Sequence, residues 1–199
     1  LDKQCDIVVL ETGLGGALDS TNVIMNTLAA VFTSISMDHM GILGDSLDKI
    51  AAAKSGIIKN KCYVISAKQQ PEVMKVLRQS ALLRKAKFYT ADVARAKNVK
   101  YGMTKQSFTY DKYKNVEIAM PGQFQIENAV VALETLSALE RQGYSIAEDK
   151  LRKGFLQTVW HGRFDVIGKR PLFIADGAHN EDASVKLAEN IRFHFTNRK

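Results

Sequence analysis

The stretch that most constrains this chain is Asp6-Ile7-Val8-Val9-Leu10-Glu11-Thr12-Gly13-Leu14-Gly15-Gly16, continuing to Asp19-Ser20-Thr21-Asn22. Four apolar residues between two acids have the length and uniform hydrophobicity of a short strand covered on both faces, as in a parallel sheet. Such a strand ends on a carboxylate, Glu11, and runs straight into a glycine-rich turn. Ligands of open α/β sheets collect beyond the carboxyl ends of the strands, so Glu11 stands where chemistry is expected. Gly13, Gly15 and Gly16 lack a Cβ and allow backbone to come close to a ligand. A strand followed by a plain flexible loop accounts for the same residues equally well. The Gly-x-Gly-Gly turn alone decides nothing.

The pattern downstream alternates strand and helix. Ala29-Ala30-Val31-Phe32-Thr33-Ser34-Ile35 reads as a second buried strand and delivers Ser36-Met37-Asp38-His39 at its end. Leu47, Ile50, Ala51 and Lys54 fall at i, i+3, i+4 and i+7, one face of a helix. Lys54 thus shares the inward stripe, although a lysine is rarely buried unpaired and can snorkel to water instead. Tyr63-Val64-Ile65-Ser66 is a third strand, Pro71 opens an amphipathic helix over 72–85, and Lys87-Phe88-Tyr89 is a fourth strand. This alternation predicts an α/β fold with a mostly parallel sheet flanked by helices.

Residues 101–119 switch to short polar–apolar alternation, which suggests antiparallel hairpins and carries no functional signal. After Pro121-Gly122, Ile126, Ala129, Val130, Leu133, Leu136 and Ser137 share a helix face, and Gly143 suits its C-terminal cap. Ser145-Ile146-Ala147-Glu148 has the form of a capping box for the next helix. A strand-like run from Phe164, the turn Gly168-Lys169-Arg170-Pro171 and the strand Leu172-Phe173-Ile174-Ala175 lead to Asp176-Gly177-Ala178-His179-Asn180 and a helix over 182–195. A domain boundary is expected near Gly168.

Composition narrows the function classes. The net charge of +7 suits a protein that handles anionic small molecules. The lysines are scattered and no RNA-binding aromatic motif accompanies them, so a nucleic-acid partner is not expected. No apolar run approaches the roughly 18 residues of a membrane span, and no membrane partner is expected. Cys5 and Cys62 have no metal-binding or redox spacing, which fits a reducing, cytoplasmic setting. The chain opens on Leu1 and closes just past a helix, and reads as a piece of a longer protein.

Glu11, His39, Lys54, Arg163, Asp176 and His179 form the ordered set of chemistry-bearing residues. A carboxylate with an imidazole is a partial shell for a divalent cation, although Mg²⁺ prefers oxygen and keeps waters. With Glu11 through Asn22, Thr33-Ser34-Ile35-Ser36-Met37-Asp38-His39, Leu43-Gly44-Asp45-Ser46, Ala53-Lys54-Ser55-Gly56-Ile57-Ile58-Lys59, Gln125-Ile126-Glu127-Asn128-Ala129, Trp160-His161-Gly162-Arg163-Phe164 and Asp176 through Asn180, the sequence resembles the folylpolyglutamate synthase/dihydrofolate synthase family of the Mur ligase superfamily.

The resemblance implies a Mur ligase central, ATP-binding domain of the P-loop type over 1–167, without its N-terminal phosphate-loop part. It also implies the first strand and helix of a Rossmann-like C-terminal domain over 168–199. The implied reaction joins L-glutamate to a dihydropteroate or reduced folate carboxylate, using ATP and passing through an acyl phosphate. By resemblance Glu11 and His39 hold Mg²⁺, and Lys54 takes up CO₂ as a carbamate that supports a second metal. Only a neutral amine reacts with CO₂, and burial favours the neutral form of a lysine. Asn128 resembles the adenine contact, Arg163 the phosphate contact, and Asp176 and His179 the ribose and phosphate contacts. Lys54, Arg163 and His179 are the implied catalytic residues. The loop carrying Asp19 and Ser20 resembles the one lining the pterin site.

Ala17, Phe124 and His161 stand where the family commonly has arginine, histidine and proline. No Gly-x-x-x-x-Gly-Lys-Ser/Thr occurs in the chain, so the resemblance implies half of an ATP site, with the phosphate loop upstream. The expectation is a ligase, monomeric when intact, of which this piece alone is inactive. A cell-wall type of Mur ligase and a non-catalytic module that has kept the fold are the competing readings.

Overall fold

The sheet at the heart of the chain is built from the apolar runs that the sequence places before and after its helices. The structure, a computed structural model, describes residues 4–37 and 40–196. Strands β1 (Ala29–Phe32), β2 (Tyr63–Ala67) and β3 (Lys87–Ala91) lie in the order β1-β2-β3. At one end the Tyr63 amide donates to Leu28 O (3.1 Å) and the Lys87 amide to Cys62 O (3.0 Å). At the other end the Lys68 amide donates to Ala91 O (3.1 Å). Starts pair with starts and ends with ends, so the strands are parallel, as strand–helix alternation requires. Tyr63, Val64, Ile65 and Ser66 of the middle strand are all buried, which is why that strand reads as continuously apolar. β1 stops at Phe32, short of the expected run to Ile35.

By its internal contacts the chain divides into two units, Leu1–Ala30 with Met37–Val64 and Gln69–Phe88, and Val31–Ser36 with Ile65–Lys68 and Tyr89–Lys199. The first unit holds the short helix α1 (Met40–Leu43), α2 (Leu47–Ser55) and α3 (Pro71–Leu83). α2 and α3 pack on one another, and Ile50, Ala51, Val73, Leu77 and Ala81 are their buried positions. The stripe expected on α2 is real: Ile50 and Ala51 are buried, Leu47 and Lys54 half-buried, and Asp48, Lys49 and Ala52 exposed.

One expectation fails here. Residues 6–11 form no strand, and Ile7, Val8, Val9 and Leu10 are 37, 66, 93 and 51% exposed. A strand exists only through the ladder of a neighbour. None of the sheets among the described residues includes this segment. Glu11 therefore precedes the glycine turn from an irregular, solvated stretch.

In the second unit β4 (Lys97–Lys100), β5 (Gln106–Tyr110) and β6 (Tyr113–Ile118) form the antiparallel meander that the alternation predicted. Phe108 faces Val116 and Gln106 faces Ile118, and all four are buried. The helix α4 (Phe124–Glu140) packs on β5, and α5 (Glu148–Gln157) packs on β6. Glu134 of α4 is buried and accepts from the Tyr110 hydroxyl (2.9 Å) and Arg95 (3.3 Å), while Arg95 also pairs with Asp111.

The capping box at Ser145 does not form. α5 starts at Glu148 with Ala147 as its N-cap and no side-chain cap, and Glu148 instead accepts from Arg152 one turn on. A box needs its Ser at the cap and its Glu three residues inside. Here the glutamate is already the first helical residue.

The hairpin of β7 (Asp165–Lys169) and β8 (Leu172–Ala175) leads into α6 (Glu181–Phe195), whose N-terminus is capped by the Asn180 side chain, Oδ1 accepting from the Ala183 amide (2.9 Å). Asn190 of α6, buried, accepts from the Gln123 amide (2.7 Å) at the start of α4. Among the described residues no helix is long and apolar enough to cross a membrane.

Candidate active site

In the first unit the glycine-rich segment folds into a closed loop. The Asp19 carboxylate is its centre: Oδ2 accepts from the Leu14 amide (2.8 Å), and Oδ1 from the Thr21 amide (2.9 Å) and hydroxyl (2.6 Å). Those donors, the Thr21 hydroxyl first, hold the carboxyl down at about 2. Ser20 opens the short 3₁₀ turn Ser20–Val23 that Asp19 caps, and it is exposed.

The loop is pressed against the C-terminal end of α2. The Ala17 amide donates to Ala53 O (3.0 Å). A Cβ on Gly16 would stand 2.6 Å from Lys54 O, and one on Gly56 would overlap the Cα of Ala17. Gly15, at φ +66°, occupies the left-handed region, and its absent Cβ makes way for Leu43. Gly13 is different, since a Cβ there would meet only Asp19 Oδ2 at an ordinary 3.4 Å.

The loop that begins at Glu11 thus reaches the backbone of Lys54. Glu11 is exposed and Lys54 half-buried; neither side chain has a hydrogen bond or ion pair among the described residues. His39, the third expected metal ligand, lies outside the described residues.

In the second unit the sequence motifs of Arg163 and Asp176 are stitched together. Asp176 Oδ2 accepts from the Phe164 amide (2.8 Å), and Oδ1 from the Ala178 amide (2.8 Å). The Gly177 amide donates to Gly162 O (2.7 Å). The turn between them is tight: Gly162 and Phe164 have φ of +76° and +52°, and Phe164 is fully buried, which leaves its neighbour Arg163 exposed. The Arg163 guanidinium comes close to Gly177, and it has no ion pair among the described residues. His179 is exposed, with Nδ1 2.8 Å from Gly177 O. Arg163, Asp176 and His179 therefore sit on one stitched pair of turns just before α6. Asn128 lies apart from them on α4, exposed, its amide donating to Gln125 Oε1 (3.1 Å).

Three residues gain parts that the sequence alone did not assign. Asn22 joins the glycine loop to the end of α2, donating to Ala17 O (3.1 Å) and Gly56 O (3.2 Å). His161 and Asp165, four apart, pair at 2.8 Å beside the Arg163 turn, and His161 holds the Asp165 carboxyl below its usual range. Their spacing was the one signal in the sequence.

Each by itself, Glu11 and Arg163 offer the donor types that a magnesium nucleotide takes. Mg²⁺ binds through one or two carboxylates, waters and phosphate oxygens rather than through an all-protein cage. Glu11 is an exposed carboxylate of that kind, without a partner among the described residues. Among the described residues no group of three or more His, Cys, Asp or Glu is gathered to hold a metal. The open guanidinium of Arg163 is suited to a phosphate oxygen pair.

Residues 1–136 match the family model described as the Mur ligase middle domain. The chain is 34% identical to a dihydrofolate synthase/folylpolyglutamate synthase of Bacillus subtilis, over 98% of this chain and 46% of that protein. It is 31% identical to a folylpolyglutamate synthase of Lacticaseibacillus casei, over 90% of this chain and 43% of that protein. A solved structure described as an FPGS–AMPPCP–folate complex superposes with a TM-score of 0.90 at 25% identity, covering 98% of this chain and 49% of that one. The Mycobacterium tuberculosis folylpolyglutamate synthase complexed with ADP gives 0.85 at 30%, covering 98% and 45%. The chain thus spans less than half the length of these relatives.

Proposed function

On the premise that this chain belongs to the Mur ligase middle-domain family, we propose that the whole protein is an ATP-dependent ligase that joins L-glutamate to a pteroate or folate carboxylate. The observation that carries this reading is the likeness over 98% of the chain to a dihydrofolate synthase/folylpolyglutamate synthase, together with the superposition on a folate complex. In this reading residues 1–167 belong to the central domain and 168–199 open the C-terminal one. The chain contains no Gly-x-x-x-x-Gly-Lys-Ser/Thr, so the phosphate loop belongs to the rest of the protein and the chain alone does not turn over.

The reaction needs no nucleophilic side chain. An oxygen of the acceptor carboxylate attacks the γ-phosphorus of ATP and ADP leaves. The glutamate amine, having lost its proton, then attacks the acyl carbon, and phosphate leaves with that oxygen. Glu11 and His39 would hold Mg²⁺, whose positive charge would offset that of the phosphates. Arg163 binds the transferring group through a two-pronged contact and offsets the charge that builds there. His179 keeps one ring nitrogen for the phosphates while the other is engaged by Gly177 O. Asp176 takes the ribose with the lone pairs left after its two amide bonds, and Asn128 takes the adenine edge. Lys54, on taking up CO₂ as a carbamate, would offer an anion to a second cation. The loop carrying Asp19 and Ser20 holds the acceptor.

Mass spectrometry of acceptors incubated with the whole protein, ATP and glutamate tests the reading. Dihydropteroate or reduced folate should gain one glutamate residue, and Arg163→Ala should lower kcat at least about 100-fold. Glutamate-independent addition of another amine, or use of a nucleotide-linked acceptor in place of the folates, would overturn it.

A further inference from the structure

We propose that Asn22 is a positioning residue that fixes the acceptor loop relative to Lys54; the inference rests on the ligase reading above. Both hydrogens of its amide are used, one on Ala17 O (3.1 Å) inside the loop and one on Gly56 O (3.2 Å) just past α2. Its backbone carbonyl accepts from the Lys59 ammonium (3.1 Å). The bond to Gly56 O spans 34 residues of sequence, so it is a tertiary tie and not a turn device.

The rest of the junction is made by contacts that cannot slide. Gly16 lies against Lys54 O, Gly56 against Ala17, and the Ala17 amide bonds Ala53 O. On the loop side Asp19 binds Leu14 and Thr21, so the loop moves as a unit. Asp19 and Ser20 lie on one side and Lys54 on the other, and the Asn22 side chain, with Lys59 at the edge, bridges the seam. A 1 Å shift between acceptor and catalytic group is enough to cost a reaction much of its rate. The side chain needed is a double donor of fixed length. Alanine removes both bonds. Aspartate, the same size, sets a carboxylate against the same two carbonyl oxygens and repels them.

The test uses the whole protein with ATP, glutamate and reduced folate, assayed well below the unfolding midpoint with the folded fraction checked by circular dichroism. Asn22→Ala should lower kcat/KM for the folate at least about tenfold and Asn22→Asp further, while KM for ATP stays within about twofold. Lys59→Met, which removes a milder tie at the edge of the seam, should shift the folate parameters in the same direction by about threefold and serves if Asn22 variants do not fold. Unchanged folate kinetics in these variants, or losses that track the folded fraction and fall equally on ATP and folate, would overturn the proposal. An inactive parent protein would instead count against the ligase reading itself.

Discussion

Gly16 and Gly56 have no Cβ because each occupies the space in which the other segment's backbone lies. Gly16→Ala would set a methyl 2.6 Å from Lys54 O, a backbone atom that cannot swing away. It should cost about 1–3 kcal/mol in urea unfolding, whereas Gly13→Ala, with only an ordinary contact ahead of it, should stay within about 0.5 kcal/mol. Equal effects at the two positions would mean that the loop is not pressed on α2.

Asp19 makes a second prediction at this scale. Its carboxyl is held at about 2 in the folded chain, below the roughly 3.9 of an unfolded aspartate. The folded state therefore gains stability from it that is fully present above about pH 4 and fades as pH falls toward 2. Asp19→Asn should flatten that part of a urea-midpoint profile between pH 5 and 2, and a mutant profile parallel to the parent's would contradict the geometry.

Among the elements, helix ends separate what was legible from what was not. Asn180→Ala removes a cap that the structure shows in use, and should cost about 1 kcal/mol in thermal or urea unfolding. Ser145→Ala removes no cap and should be close to neutral, although the local sequence is a textual match to a capping box. Periodicity placed α2, α3, α4 and the three parallel strands because burial on one face or both is written in neighbouring residues. Residues 6–11 misled for the opposite reason: an apolar run becomes a strand only through a neighbour, and the run itself does not encode one. The pairing of the Arg163 turn with the Asp176 turn, and of Asn22 with Gly56, were equally out of reach of local reading. In each, a side chain or amide meets a backbone group of a distant segment, and backbone groups, which every residue has, carry no signature of which partner they take.

At the scale of the whole molecule, the chain carries a glycine loop fastened to the backbone of Lys54 in one unit and a stitched Arg163–Asp176–His179 surface in the other. Each is formed by its own local contacts. The chemistry proposed for them leaves a mark on an atom: the oxygen that attacks ATP departs with phosphate. The whole protein, given ATP, glutamate and a reduced folate labelled with ¹⁸O in its reacting carboxylate, should release inorganic phosphate carrying one ¹⁸O per amide formed. Amide formation with unlabelled phosphate, or with release of AMP and pyrophosphate, would contradict the account.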